Sequence, residues 1–418
     1  MVGMQSSPSR PRPLEDVTVL DITTALAGPI ATLLLAGLGA RVIKVENPKS
    51  PDTCRTNAPY LGEDGARLIK QSEDDISISA LNRLRNKLGV TLNLKNPAAK
   101  AVLADLIRKS DMVVENYSRG ALDRMGAGYG FARDINPRIV YCSLTGYGAD
   151  AEGQDKAMDT IIQALSGVMM TSGEMSDPPV RIGVPIADLC TPLFGVIGAL
   201  SALHQAKRTG IGQHVDVSML GALTMMVSGE PFDLLERCGV PPRTGLTVPR
   251  LAPFGLYPVS DGYIAICAPM EGIAHSLFDA MGRPDLKSHP DFATRDARVK
   301  NVKAMDAIVG EFTRPRTKQE ALEILDAHGV PSGEVRGPGE AVADPRVLRR
   351  GETVPLHHPK YGAVEEVYGM GVPIRFSGAD AGFDQPPPGV GEHNTLVYRD
   401  FLGYSAERLL ELKNAGVI

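Results

Sequence analysis

The chain has no basic excess. Its 418 residues carry 44 Lys and Arg against 49 Asp and Glu, a net charge of −5, which speaks against nucleic acid as a partner. Cysteines are few: Cys54, Cys142, Cys190, Cys238 and Cys267 lie far apart with no CxxC pair. That speaks against a zinc ribbon or a disulfide framework, and an odd number of thiols suits a reducing compartment. Long apolar runs are missing too, since Leu33–Leu38 and Val168–Met170 fall far short of a membrane span. Residues 1–13, MVGMQSSPSRPRP, have no apolar centre and read as a disordered tail, not a signal peptide. What remains is ordinary globular usage, 43% apolar and 22% charged, in a chain long enough for two or three domains with sizeable cores. The expectation is a soluble cytoplasmic enzyme with no membrane contact.

The order of elements points to an α/β fold. Val17–Ile22 is an apolar, β-branched run with the look of a strand buried on both faces. Ala27-Gly28-Pro29 opens an apolar helix over Ile30–Leu38, Gly39 ends it, and Arg41–Val45 is a second strand. Asn96-Pro97 begins a helix running to about Lys109, followed by strands at 111–115 and 138–145. Further on, 159–170 reads as a helix, 188–207 as a long apolar helix and 214–219 as a strand. This alternation predicts a Rossmann-like parallel sheet over 14–227. Residues 228–256, rich in Pro and Gly, read as a linker. Residues 257–332 read as a smaller domain, and 333–418 as a return linker plus a closing part of the large domain with a last helix at 405–414.

Several familiar chemistries have no signature. GxGxxG is missing, and Gly37-Leu-Gly39 ends a helix where a pyrophosphate site needs the start of one. There is no GxSxG elbow and no HExxH, and the histidines are scattered, so neither a serine triad nor a metal is expected. Two carboxylates stand at helix starts. Asp188 lies between Val184-Pro-Ile-Ala187 and a long apolar helix, where unpaired N–H groups favour an anion. On position alone it reads first as an N-cap, and second as a nucleophile toward an acyl group. Asp159 reads the same way before its own helix. Lys44, Lys95, Arg119, Arg124 and Lys207 lie near glycines. Of these, Arg124 follows a strand's carboxyl end, where a cation can meet phosphate.

Nine segments then fall in one order. They are Leu14–Pro29 (LEDVTVLDITTALAGP), Leu38–Glu46 (LGARVIKVE), Asn86–Pro97 (NKLGVTLNLKNP), Val114–Gly126 (VENYSRGALDRMG), Asn136–Gly148, Gly183–Asp188 (GVPIAD), Thr209–Met219 (TGIGQHVDVSM), Gly391–His393 and Leu402–Tyr404. In these the chain resembles the class III CoA-transferases, the group that includes formyl-CoA transferases, carnitine-related CoA-transferases and α-methylacyl-CoA racemases. The resemblance implies an acyl-CoA donor, a carboxylic acid acceptor, CoA as substrate and no permanently bound cofactor. It makes Asp188 the covalent nucleophile, working through a mixed anhydride and an aspartyl-CoA thioester. It also implies that Ala25, Ala27, Leu92, Lys95, Asn116 and Arg124 bind CoA, that Leu26 and Thr145 line the acyl pocket, and that two chains interlock as ring-shaped homodimers. Asn47, Leu26 and Thr145 depart from the formyl branch, which has Arg, Gln and Lys there, so formate and oxalate are not expected. The racemase branch has His where this chain has Met158, and a racemase or epimerase needs that base. The other alternative is a paralogue that binds acyl-CoA without catalysis.

Overall fold

The structure, a computed structural model, describes residues 10–153 and 156–418. Residues 1–9 of the expected tail lie outside the described residues. The rest of it is anchored: the Arg10 N–H donates to Asp380 at 2.9 Å and Arg12 pairs with Asp384. The chain divides into two compact units, one of residues up to Ser166 with Gly183–Met226 and Val342–Ile418, the other of Gly167–Ile182 with Val227–Ala341.

The first unit is built on a six-stranded parallel sheet. In chain order the strands are β1 (Thr18–Ile22), β2 (Arg41–Glu46), β3 (Lys87–Thr91), β4 (Met112–Glu115), β5 (Val140–Thr145) and β6 (His214–Ser218). In space they run β3-β2-β1-β4-β5-β6, the order of a doubly wound nucleotide-binding sheet. Side chains alternate between its faces. Leu20, Ile22, Ile43, Val90 and Val113 pack on one side with Val102, Leu106 and Tyr398, while Val19, Val42, Val114 and Cys142 pack on the other with Leu35, Ala199 and Leu203. Helix α1 (Ala27–Gly37) follows β1, α2 (Ile78–Arg83) precedes β3, and α3 (Ala99–Arg108) joins β3 to β4. The closing residues belong to this unit as well, with the Tyr398 hydroxyl donating to the Thr91 carbonyl at 2.7 Å.

Strand β3 escaped the sequence reading because its pattern starts with a lysine and holds a glycine. Both have local causes. Lys87 is buried on Asp21 at 3.0 Å, and a Cβ on Gly89 would meet Pro388 at 2.9 Å, so the returning chain lies against this backbone. Helix α4 (Asp159–Leu165) stops before the expected Met170, because Gly167 turns left-handed at φ +83° and only a 3-10 turn, Val168–Met170, follows. Helix α5 (Ile186–Thr209) is 24 residues long with a mean hydropathy of 1.8 over its most apolar stretch. By length and composition that is enough to cross a bilayer, contrary to the expectation from the apolar runs. Its Ala199, Ala202 and Leu203 are buried against the sheet.

The second unit has an antiparallel sheet of Phe254–Val259, Gly262–Cys267 and Ser332–Glu334. Its core joins Tyr257, Ile264 and Ile266 to Leu277, Phe278, Met305, Val309 and Leu325. Residues 228–256 are not an extended connector: they hold a helix, Phe232–Arg237. The buried Arg243 donates to the carbonyls of Pro178 at 2.8 Å and Met175 at 2.9 Å, which ties this stretch to 167–182.

Candidate active site

The winding of the first unit reverses between β1 and β4, and such a reversal opens a crevice at the carboxyl ends of the strands. The turn after β1, Thr23–Leu26, lies there and is fastened from three directions. Asn116, just past β4, accepts the Thr24 N–H at 2.8 Å and donates to the Thr24 carbonyl at 2.9 Å. Asp52 accepts the Ala25 N–H at 2.9 Å, and Arg83 donates from Nη1 to the Ala25 carbonyl at 2.9 Å. Ala25 is thereby held at φ +67°, a conformation that costs a non-glycine residue about 1 kcal/mol or more and persists only where its surroundings impose it. Gly28 permits the closeness, since a Cβ there would meet Thr23 at 2.4 Å and Asn116 at 2.9 Å.

Beneath the turn is a buried ion cluster. Asp21 and Lys44 are both fully buried. Lys44 lies 2.9 Å from Asp52 and 3.6 Å from Asp21, and Lys87 lies 3.0 Å from Asp21. Burial pushes the Asp21 carboxyl up, but Lys44 and Lys87 outweigh it and hold Asp21 well below the usual carboxylate range. Burial likewise opposes the charge on Lys44, yet Asp21 and Asp52 raise it. Lys44 is therefore part of the scaffold and not a ligand for phosphate.

Asp188 opens on a cavity of about 470 Å³ in this crevice. Ala25, Leu26, Ala27, Asn116, Thr145, Met158 and Asp159 share its wall. Asp188 does not cap its helix. Helix α5 begins two residues earlier, at Ile186, and its cap comes from a distance: Asp159 accepts the Ala187 N–H at 2.8 Å. The Ile186 N–H goes to the Val184 carbonyl at 2.8 Å and the Leu189 N–H to Pro185 at 3.0 Å, so little of the free helix end is left for Asp188. Asp159 is correspondingly not the cap of its own helix, where Met158 holds that place. Burial and the neighbouring Asp159 push the Asp188 carboxyl up to about 6, against the pull of Arg83 and the Ala27 N–H. The helix start thus does not hold this carboxylate in its low range, as the sequence position suggested.

A second cavity, of about 200 Å³, is walled by Leu92, Lys95, Asn47 and Met125, and it shares Thr24 and Tyr117 with the first. Eight of the residues expected at the site therefore meet on two adjoining walls: Asp188, Ala25, Ala27, Leu26, Thr145 and Asn116 on one, Leu92 and Lys95 on the other. Asn116 spends both ends of its amide on Thr24 and so also fastens the turn. Arg124 is the exception: it is exposed and lines neither cavity, with its nearest partner the Arg119 carbonyl at 3.5 Å. Arg119 itself donates to the Ala151 carbonyl, and Lys207 pairs with Asp16 at 2.7 Å. Asp52 and Arg83 were not legible as site residues, because what they touch is a main-chain turn far off in sequence. Among the described residues no group of His, Cys, Asp and Glu is arranged to hold a metal.

Three comparisons fit this geometry. Residues 14–394 match the family described as CoA-transferase family III. The chain is 34% identical, over 99% of its length and 100% of the relative's, to a succinyl-CoA–D-citramalate CoA-transferase of Chloroflexus aurantiacus. It is 35% identical, over 97% and 99%, to a formyl-CoA:oxalate CoA-transferase of Streptomyces avermitilis. Among solved structures, a CAIB/BAIF family protein from Brucella suis superposes with a TM-score of 0.79 at 32% identity, covering 94% of this chain and 100% of that one. With a match across nearly its whole length and full-length relatives above 30% identity, the chain belongs to CoA-transferase family III and is a CoA-transferase.

Proposed function

We propose that Asp188 carries the acyl group and then CoA in turn. Its carboxylate attacks the thioester carbonyl of the donor and CoA leaves as thiolate. The thiolate attacks the Asp188 side of the mixed anhydride, which releases the first acid and leaves an aspartyl-CoA thioester. The acceptor carboxylate repeats both steps in reverse, and the enzyme regains a free Asp188. Each step exchanges one acyl–oxygen or acyl–sulfur bond for another, so the cycle needs no electron carrier and no net proton. The observation that carries this reading is a half-buried carboxyl, raised to about 6, at the wall of a cavity at the sheet's carboxyl edge. Burial removes water that competes for an anionic nucleophile and would hydrolyse the anhydride. Pro192, one turn on in α5, has no N–H to give the Asp188 carbonyl. The test is to incubate the protein with acyl-CoA and then borohydride or hydroxylamine, and to map the tag by mass. A tag on Asp188 supports the cycle, and transfer without any tagged residue refutes it.

CoA would lie along the two cavities, with its thiol by Ala25 and Ala27 and its nucleotide by Leu92 and Lys95. Because Lys95 is exposed, its phosphate contact is worth about 1 kcal/mol, and Lys95→Ala should weaken CoA binding about fivefold. Arg124→Ala should leave calorimetric binding unchanged, which departs from the expectation drawn from the resemblance. Met158 occupies the wall beside Asp159 with a thioether that cannot take up a proton, so the reading as a racemase gains no support here. We assign the chain to the cytoplasm and to an interlocked homodimer. Leu193 and Ile197 on α5 and Leu165 on α4 are half exposed or more, and a second chain would cover them.

The raised carboxyl sets a pH dependence. Attack needs Asp188 ionised, so the rate of thioester formation should climb through a midpoint near pH 6 and level off above about pH 7. Stopped-flow measurement across pH 4.5–8 checks this; a rate already flat from about pH 5 would mean that Asp188 titrates as an ordinary carboxylate.

A further inference from the structure

We propose that Arg83 reads a second carboxylate on the acyl group, so that the acids this enzyme exchanges are dicarboxylic. The proposal deepens the transferase reading and rests on it. The wall of the 470 Å³ cavity holds two carboxylates, Asp159 and Asp188, and among its lining residues there is no Lys, Arg or His. Arg83 is the cation whose charge acts on Asp188. It ends α2 half-buried, and Nη1 donates to the carbonyl of Ala25, itself a residue of that wall. Among the described residues, no protein acceptor takes the Nε or Nη2 hydrogens. The guanidinium is thus held by one corner on a residue of the cavity wall, close enough for its charge to act on Asp188.

The Nε and Nη2 donors suit a carboxylate, which accepts two parallel N–H groups from one guanidinium. The charge accounting then separates two classes of acid. Once a monocarboxylic acid is joined to CoA or to Asp188 it is neutral, and Arg83 has nothing in it to meet. A dicarboxylic acyl group keeps one negative charge through every step. In a cavity with two acidic side chains that charge is repelled unless a cation answers it. Arg83 answers it from beside the wall and leaves the reacting end free to face Asp188.

The test uses chain pairs matched in length: succinyl-CoA against butyryl-CoA, and glutaryl-CoA against valeryl-CoA. Formation of the Asp188 thioester is followed by mass in wild type, Arg83→Lys and Arg83→Gln. Wild type should prefer the dicarboxylic member of each pair. Arg83→Gln should lower kcat/KM for the dicarboxylic members about ten- to a hundredfold, the range of a charge-assisted hydrogen bond, mostly through KM. The monocarboxylic members should slow less, since for them Arg83 only pulls on Asp188 and holds the Ala25 turn, so the preference within each pair should fall about tenfold or more, and Lys should restore part of it. The proposal is overturned if wild type prefers the monocarboxylic members. It is also overturned if Arg83→Gln slows both classes alike, which would make Arg83 a positioning residue for Asp188, or changes neither. Wild-type preference is measured without any variant, so a poorly folded variant does not shield the idea. Failure to form a thioester on Asp188 from any acyl-CoA would instead overturn the transferase cycle.

Discussion

Asp188→Ala is expected to abolish CoA transfer, by at least about a thousandfold, in a protein that still folds. The size follows from the role: without the carboxylate there is nothing to form the anhydride or the thioester, and CoA has no covalent resting place between two acids. Retention of the fold follows from geometry. Asp159, not Asp188, supplies the remote cap of α5, so the substitution removes no cap. It also removes a strain. The folded carboxyl keeps its proton up to about pH 6, whereas an unfolded one loses it near 3.8. Any stability that Asp188 contributes is therefore present below pH 4 and lost as pH rises through 6. Asp188→Asn, which stays neutral, should melt higher than wild type at pH 7.5, with the difference shrinking as pH falls to 4.5. The assignment fails if Asp188→Ala transfers CoA at near the wild-type rate. A melting difference that grows on acidification would show that the carboxylate is stabilised by the fold, the reverse of what burial beside Asp159 implies.

The second large effect lies out of reach of substrate. Asp21→Ala should cost about 3–5 kcal/mol, because it leaves buried charges without their partner. The Asp21 carboxylate accepts the Thr23 N–H at 2.9 Å and the Thr32 hydroxyl at 2.6 Å, and pairs with Lys87 at 3.0 Å. Lys44 retains Asp52 after the change, but Lys87, already pushed down by burial, would keep only the Pro29 carbonyl and Thr32. Lys87→Met in the same chain should recover part of the loss, since a thioether of similar length needs no counter-charge. Thermal melting of the single and double variants checks both statements. An unchanged melting temperature in Asp21→Ala would mean that water reaches the cluster. Activity should fall with stability here, because Lys44 and Asp52 connect this cluster to the Ala25 turn.

The strands around Asp21 show what a sequence can and cannot reveal. β1, β2, β4 and β5 each carry a β-branched apolar core, and they read as strands even though Asp21 in β1 and Lys44 in β2 are buried charges. β3 is harder to read, because it opens on Lys87, satisfied by a residue 66 positions earlier, and holds Gly89. The same distinction separates the site residues. Asp188 stands out through its place before an apolar helix, and Ala25, Leu26 and Ala27 through the turn after β1. The start of α5 was misjudged because its cap is 28 residues away in sequence. Asp52 and Arg83 act on the backbone of Ala25, and no spacing rule points from an arginine to a carbonyl 58 residues distant. Arg124 shows a different limit: a cation after a strand fits the pattern for phosphate, and the short turn Ala121–Arg124 places it outside the walls of both cavities.

The sheet order also governs when the enzyme can begin to work as it folds. Central β1 pairs with β2 in a nearby register, Val19 with Val42, but with β4 through Val19 and Met112. The crevice does not exist until that long closure is made, and closures of this span are slow steps in parallel sheets. Asp188 reaches it only when α4 brings Asp159 to the start of α5. A ribosome-bound chain is therefore catalytically silent at least until α5 has emerged, and in a refolding reaction helical signal should return before turnover does.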